Sequence, residues 1–186
     1  MIIEKPLRRE TNILVGYLMD FNDVVRTRRS IRKYQPRKVS DEKLANIIEA
    51  ARLAPSGSNR QAWKFIVVRN ADKKAKLAEF CGKQLWIAGA DIVVVCCWLP
   101  ILGVDEIKLR RDVTIATEHI VLAAVNEGLS TCWIGSPDIN AVRSLLSIPE
   151  DVGINSIVLL GYPDAAPRER TYKRTEEIVC YDHWEN

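Results

Sequence analysis

No apolar run in the 186-residue chain approaches the ~18 residues needed to cross a bilayer as a helix. The longest apolar strip, Ile92 to Leu99, is strand-sized. The start, Met1-Ile-Ile-Glu-Lys-Pro, lacks the apolar stretch and cleavage site of a signal peptide. No CxxC pair and no Cys/His cluster at zinc spacing occurs, so a metal site is not expected. The five cysteines (Cys81, Cys96, Cys97, Cys132, Cys180) are an odd count in a chain large enough for an ordinary core, which points to a reducing, cytoplasmic setting. GxGxxG, GxxxxGK[ST], HExxH and GxSxG are absent, which argues against a Rossmann dinucleotide fold, a P-loop enzyme, a zincin and an α/β-hydrolase. The net charge of +3 is too small to make nucleic acid or an anionic membrane a whole-molecule partner.

What is present describes a soluble globular chain: 47% apolar, 27% charged, with nine glycines and eight prolines. One domain of this length buries roughly 70% of its unfolded surface. Residues 1–18 show no clear period and read as an N-terminal extension, an arm for a partner subunit, ahead of a single domain over residues 19–186.

From Asp20 onward helical and strand signals alternate. Asp20 to Thr27 predicts a short helix. Ser40 caps a second one, with Asp41 and Glu42 in its first turn and Leu44, Ile47, Ile48 and Ala51 at helical spacing before Pro55. Phe65 to Val68 and Ile92 to Trp98 predict strands, the latter covered on both faces. Lys73 to Gln84 predicts a helix, as do Asn140 to Leu146 and a long stretch from Ile107 to Glu127 closing on Gly128. Val113 to Val125 is apolar around most of its circumference, so this helix needs cover on all sides, including from another subunit. Gly128 to Gly135 encloses a short strand, and Ile154 to Leu160 is another, ending at Gly161-Tyr-Pro. The mix implies an α+β sandwich.

Three strings carry candidate chemistry. Between Arg26 and Lys38 seven of thirteen residues are basic and none is acidic. Within that run, Arg28-Arg29-Ser30-Ile31-Arg32 offers arginine forks and a hydroxyl suited to phosphate, the alternative being a solvated basic turn. Ala54-Pro55-Ser56-Gly57-Ser58-Asn59-Arg60-Gln61-Ala62-Trp63 supplies a dense set of hydroxyl and amide donors, or else an ordinary turn. Gly128-Leu129-Ser130-Thr131-Cys132-Trp133-Ile134-Gly135 reads as a strand between glycines, with Cys132 more filler than nucleophile. A second basic cluster lies at Arg168, Arg170, Lys173 and Arg174.

Taken in order, these strings resemble the nitroreductase family of FMN-dependent oxidoreductases, over roughly Met19 to His183. The resemblance implies a nitroreductase-like α/β sandwich: a central, mainly antiparallel sheet, with a long central helix at a homodimer interface and FMN in the clefts between subunits. It implies that Arg28, Arg29 and Ser30 hold the phosphate and ribityl chain. Arg32 then lies near the N1/O2 edge, where positive charge favours the anionic reduced flavin. Pro55, Ser56 and Asn59 wall the ring, with Gln84 nearby. Trp133, Ile134 and Gly135 run beside N5 and O4, and Arg170 or Lys173 returns to the phosphate from the tail, with Arg168 and Arg174 as alternatives.

The implied activity is transfer of hydride or electrons from NADH or NADPH to an electron-poor acceptor such as a nitroaromatic or quinone. No protein nucleophile, acid or base is required, and neither His119 nor His183 is assigned such a role. The alternatives are a different reaction on the same fold (reduced-flavin fragmentation or dehalogenation), a flavin-binding protein without turnover, and a nucleic-acid-binding protein using the Arg26 to Lys38 cluster. Ala62 and Ser130 depart from the family pattern, which more often has Pro and Gly there.

Overall fold

The computed structural model describes residues 19–167 and 169–184; the predicted arm over 1–18 and Arg168 lie outside them. Five helices are each started by a side chain that accepts a hydrogen bond from the first turn. Helix α1 (Phe21–Thr27) is capped by Asp20, α2 (Asp41–Arg52) by Ser40, α3 (Ala71–Phe80) by Asn70, α4 (Glu106–Asn126) by Asp105, and α5 (Ile139–Leu146) by Asp138. Four strands, β1 (Trp63–Val68), β2 (Ile92–Trp98), β3 (Ser130–Ile134) and β4 (Gly153–Gly161), form one antiparallel sheet in the order β1-β2-β4-β3.

Side-chain alternation along β2 explains its apolar character on both faces. Val93, Val95 and Cys97 enter one core with Leu77 of α3 and Val142 of α5. Ile92, Val94 and Cys96 enter the other, with Ile47 and Ala51 of α2 and Val113, Ile120 and Ala124 of α4. The sheet is therefore sandwiched between helical layers, as the α+β expectation required. Between Cys96 and Cys97 the pairing with β4 slips by one residue, so that Trp98 comes to lie against Gly153.

Most boundaries shift by a residue or two from the sequence reading, α3 starting at Ala71 rather than Lys73, and two of the differences have a clear physical cause. Helix α3 ends at Phe80 rather than Gln84, because Gly82 (φ +74°) and Lys83 (φ +57°) are consecutive left-handed residues that a helix cannot absorb. Strand β1 starts at Trp63, two residues ahead of the β-branched run, through its pairing with Trp98. The long helix closes on Gly128 at φ +73°, as expected.

Its cover within one chain is one-sided. Val113, Ala116, Thr117, Ile120, Val121 and Ala124 are buried, whereas Ile115, His119 and Leu122 are half-buried and Thr114 and Glu118 exposed. Lys43 of α2 donates to the Glu127 carbonyl, and Asn46 Nδ2 donates to Glu127 Oε1 at 2.8 Å, which ties the end of α4 to α2.

Candidate functional site

The segment after α1 runs along the open edge of β3. Ile31 N donates to Thr131 O at 2.9 Å, and Ser30 pairs with Thr131 in a single parallel bridge. Ile31 is buried, and the Tyr34 hydroxyl donates back to the Ile31 carbonyl at 2.8 Å. Burial raises the Tyr34 phenol far above its ordinary value, so the hydroxyl serves as a neutral structural donor. Further along, Asp164 N donates to Lys33 O, Gln35 N donates to Tyr162 O, and Lys33 Nζ pairs with Asp164 at 2.9 Å. The basic string is thus a strap stapled to β3 and to the end of β4, with its apolar residues inward and its cations outward.

The strap gathers positive charge. Arg28 and Arg29 are half-buried, and Arg29 lines an open cleft of about 630 Å³ together with Glu169, Arg170 and Thr171. Arg170 is held below the ordinary guanidinium value by partial desolvation and then by repulsion from Arg28 and Arg29, which places the three cations in one field. Arg32 projects over the Trp86 ring, with its guanidinium carbon 5.8 Å from the centroid. Arg32 also acts on Cys132: burial raises the thiol and the guanidinium partly offsets the rise.

Strand β3 pairs with a neighbouring strand on one side only, its other side meeting the strap at Thr131 alone among the described residues. Since the Thr131 carbonyl faces the strap, the two-residue alternation of an antiparallel strand turns the Trp133 backbone to the same open edge, and the Ile134 backbone toward β4. One further step brings the Gly135 amide to the open side. The Trp133 side chain is half-buried against the α2/α4 core, and that of Ile134 is buried in the opposite core. At this edge the backbone carries the available donors. Ser130 lies in regular strand with no left-handed backbone, so its side chain is accommodated.

The Pro55 loop forms a second group. After α2 the chain turns through a tight turn at Gly57–Asn59, and Ser58 (φ +53°), Asn59 (φ +53°) and Gln61 (φ +51°) are all left-handed without being glycine. Such a concentration of backbone strain marks functional loops. Ser56 Oγ accepts from Gln61 N at 2.9 Å, while Asn59 is exposed. Arg60 folds back beneath Gly57, where any Cβ would collide with its guanidinium. Asp112 on α4 accepts from Gly57 N and from Arg60 Nη2, both at 3.1 Å, and so locks the loop to the helix. Arg60 Nε is buried without a partner.

The remaining expected residues sort plainly. Gln84 is half-buried and its amide donates to Cys81 O at 2.7 Å; the turn it opens, Leu85–Gly89, carries the Trp86 beneath Arg32. Lys173 is exposed on the tail, outside the Arg29/Arg170 cleft. Arg174 is engaged locally with Glu177 at 3.5 Å.

Arg28, Arg29, Ser30, Arg32, Arg170 and the open edge of β3 are therefore brought together. Pro55, Ser56 and Asn59 stand apart, on the Asp112 face of α4. Among the described residues no hydrogen bond or ion pair joins the two groups. Sequence reasoning assigned no role to Arg60, Asp112, Lys108 or Arg111. Their signal lay in helical spacing, since Lys108, Arg111, Asp112 and Ile115 fall on one face of α4.

A sequence model of the nitroreductase family matches residues 25–98 and 104–162. A protein from Archaeoglobus fulgidus, provisionally named NADH dehydrogenase/NAD(P)H nitroreductase, is 39% identical over 145 residues, covering 75% of this chain and 83% of that one. An FMN reductase [NAD(P)H] of Bacillus subtilis is 27% identical over 86% of this chain and 78% of its own length. Among solved structures, the Vibrio harveyi NADPH:FMN oxidoreductase complexed with NAD+ superposes with a TM-score of 0.83 at 26% identity, over 89% of this chain and 78% of that one.

Proposed function

Because the chain belongs to the nitroreductase family, we propose that it is an FMN-dependent oxidoreductase carrying electrons from NADH or NADPH to an electron-poor acceptor such as a nitroaromatic or quinone. The observation that carries this reading is the meeting of Arg29 and Arg170 on one cleft, within the field of Arg28 and beside the open backbone edge of β3. Three guanidinium groups that repel one another need a multiply charged anion, and Glu169 supplies only one negative charge. A phosphate monoester fits that donor set. The residues present therefore suit FMN.

In this reading Arg28, Arg29 and Arg170 hold the phosphate and Ser30 the ribityl chain. Arg32, supported on Trp86, sets a positive charge at the flavin edge where negative charge accumulates on reduction. The Trp133 and Gly135 amides donate from the β3 edge. Bound FMN supplies the two-electron carrier chemistry between nicotinamide and acceptor. The protein orients both partners and excludes water, and no side chain has to act as nucleophile, acid or base.

Pro55, Ser56 and Asn59 share no hydrogen bond or ion pair with the cleft residues among the described residues, and in this reading they do not complete the same site within one chain. The reading therefore places a partner copy's loop opposite the cleft, in a homodimer joined along the half-covered stripe Ile115, His119 and Leu122. Exposed Phe21, Val25 and Ile107 support such an apolar interface. Residues 19–186 are taken as the FMN-binding domain and residues 1–18 as an N-terminal extension. Buried thiols at Cys81, Cys96, Cys97 and Cys132 suit a reducing, cytoplasmic setting. Among the described residues no helix is long and apolar enough to cross a membrane.

The test is an absorption spectrum of the purified protein. A yellow protein that bleaches anaerobically with NADH or NADPH and recovers its colour with a quinone is expected. A colourless protein that FMN does not reconstitute overturns the proposal.

A further inference from the structure

A cavity of about 430 Å³ lies between the Pro55–Gly57 loop and the first turns of α4. Arg60 lines it from the loop side, and Lys108, Arg111, Asp112 and Ile115 line its helical wall. Its charge is uneven. The Asp112 carboxylate is already committed to Arg60 and to the Gly57 amide. Lys108 and Arg111 are exposed and have no ion-pair partner among the described residues. Three cations and one carboxylate leave two positive charges uncompensated.

Lys108 and Arg111 are three residues apart on one helix, so their side chains rise from the same face with Cβ atoms roughly 5–6 Å apart. Two cations at that spacing can close on a single tetrahedral anion. A phosphate monoester carries a charge of about −1.5 to −2 near neutral pH and matches the deficit, whereas a carboxylate or one phosphodiester unit supplies half of it. The same loop carries Pro55, Ser56 and Asn59, which wall the flavin ring in the reading above. A molecule stacked on that ring and longer than the nicotinamide therefore has this cavity within reach along the loop.

We infer that Lys108 and Arg111, seated beside the Arg60–Asp112 pair, form a phosphomonoester pocket that holds the 2′-phosphate of NADPH and makes NADPH the preferred donor. The inference rests on the donor reading above. Arg60 acts as a positioning residue whose ion pair keeps the Asp112 carboxylate from competing with the incoming anion.

The test titrates the purified protein calorimetrically with adenosine 2′,5′-bisphosphate and with AMP, and measures steady-state oxidation of NADPH and NADH. The wild-type chain and the doubly substituted Lys108→Gln, Arg111→Gln chain are compared. In the wild type, the bisphosphate is expected to bind at least about tenfold more tightly than AMP, the effect of one charge-assisted hydrogen bond or more. The double variant is expected to lose that preference, and the ratio of kcat/KM for NADPH to that for NADH is expected to fall by a similar factor.

Equal binding of the two nucleotides by the wild type, or a preference that survives the substitutions, overturns the inference. So does an equal loss of AMP and bisphosphate binding, because the pocket would then read a phosphate common to both donors. A protein that neither binds FMN nor oxidises either nucleotide overturns the donor reading instead. The calorimetric arm needs no turnover and still decides the pocket.

Discussion

Asp112 holds the Pro55 loop to α4, and replacing it measures how firmly. Its side chain is 6% exposed and accepts two bonds at 3.1 Å, one from the Gly57 amide and one from Arg60, whose own side chain is 20% exposed. Asp112→Ala removes both and leaves a largely buried guanidinium whose Nε already lacks a partner. Breaking a buried ion pair from one side costs about 3–5 kcal/mol, and the residual exposure of Arg60 puts this case near 3. Asp112→Asn retains an acceptor for Gly57 and should cost about 2 kcal/mol, the value of one charge-assisted bond.

Urea denaturation at fixed protein and FMN concentration reads the change; with a slope of ~2 kcal/mol/M, the Asp112→Ala midpoint falls by ~1.5 M. Adding Arg60→Met to Asp112→Ala removes the orphaned cation and should restore stability relative to Asp112→Ala alone. The reasoning is refuted if Asp112→Ala costs less than ~0.5 kcal/mol, or if the two substitutions add with no coupling.

Four further outcomes follow from the packing and the electrostatics. Gly153→Ala drives a Cβ into the Trp98 indole at the β2–β4 irregularity and should cost about 1–3 kcal/mol in the same urea assay, as overpacking does. Burial pushes the Cys81 and Cys97 thiols up to about 11 and Cys96 to about 12, so the fold keeps them protonated where the unfolded chain ionises. Stability is therefore intact below about pH 9 and falls above it, by about 1.4 kcal/mol per pH unit for each thiol; a thermal midpoint that stays flat to pH 10.5 contradicts this, and Cys81→Ala should flatten the slope. Arg28→Ala should weaken FMN retention at least about tenfold by fluorescence titration. Cys132→Ser should retain substantial turnover, since its buried thiol stays protonated at neutral pH.

Most of the fold was legible because its signals are local. Ser40 with two following acids, Gly128 after a long apolar helix, and the unbroken apolar run of β2 each determine their own neighbourhood. The end of α3 was less legible, because an apolar spacing that continues through Phe80 hides two left-handed residues. The strap was readable as cations and a hydroxyl, but its pairing with Thr131 joins residues a hundred positions apart, and no local pattern encodes that. The lock between Asp112 and Arg60 was hidden for the same reason. A lone acid in the first half of a helix looks like surface until the loop that covers it is in place.

Helix α4 also sets an angle. Asp112 holds the loop on one side, and Glu118, six residues on, feels the charge of Arg28 on another. Six residues advance the helix by ~9 Å and rotate it by ~240°, so the bearing of one group from the other is written in helical phase. One residue inserted between them would leave the caps and the sheet pairing unaltered while swinging the loop's anchor through ~100°. The length of that interval is therefore fixed as firmly as its buried residues Val113, Ala116 and Thr117.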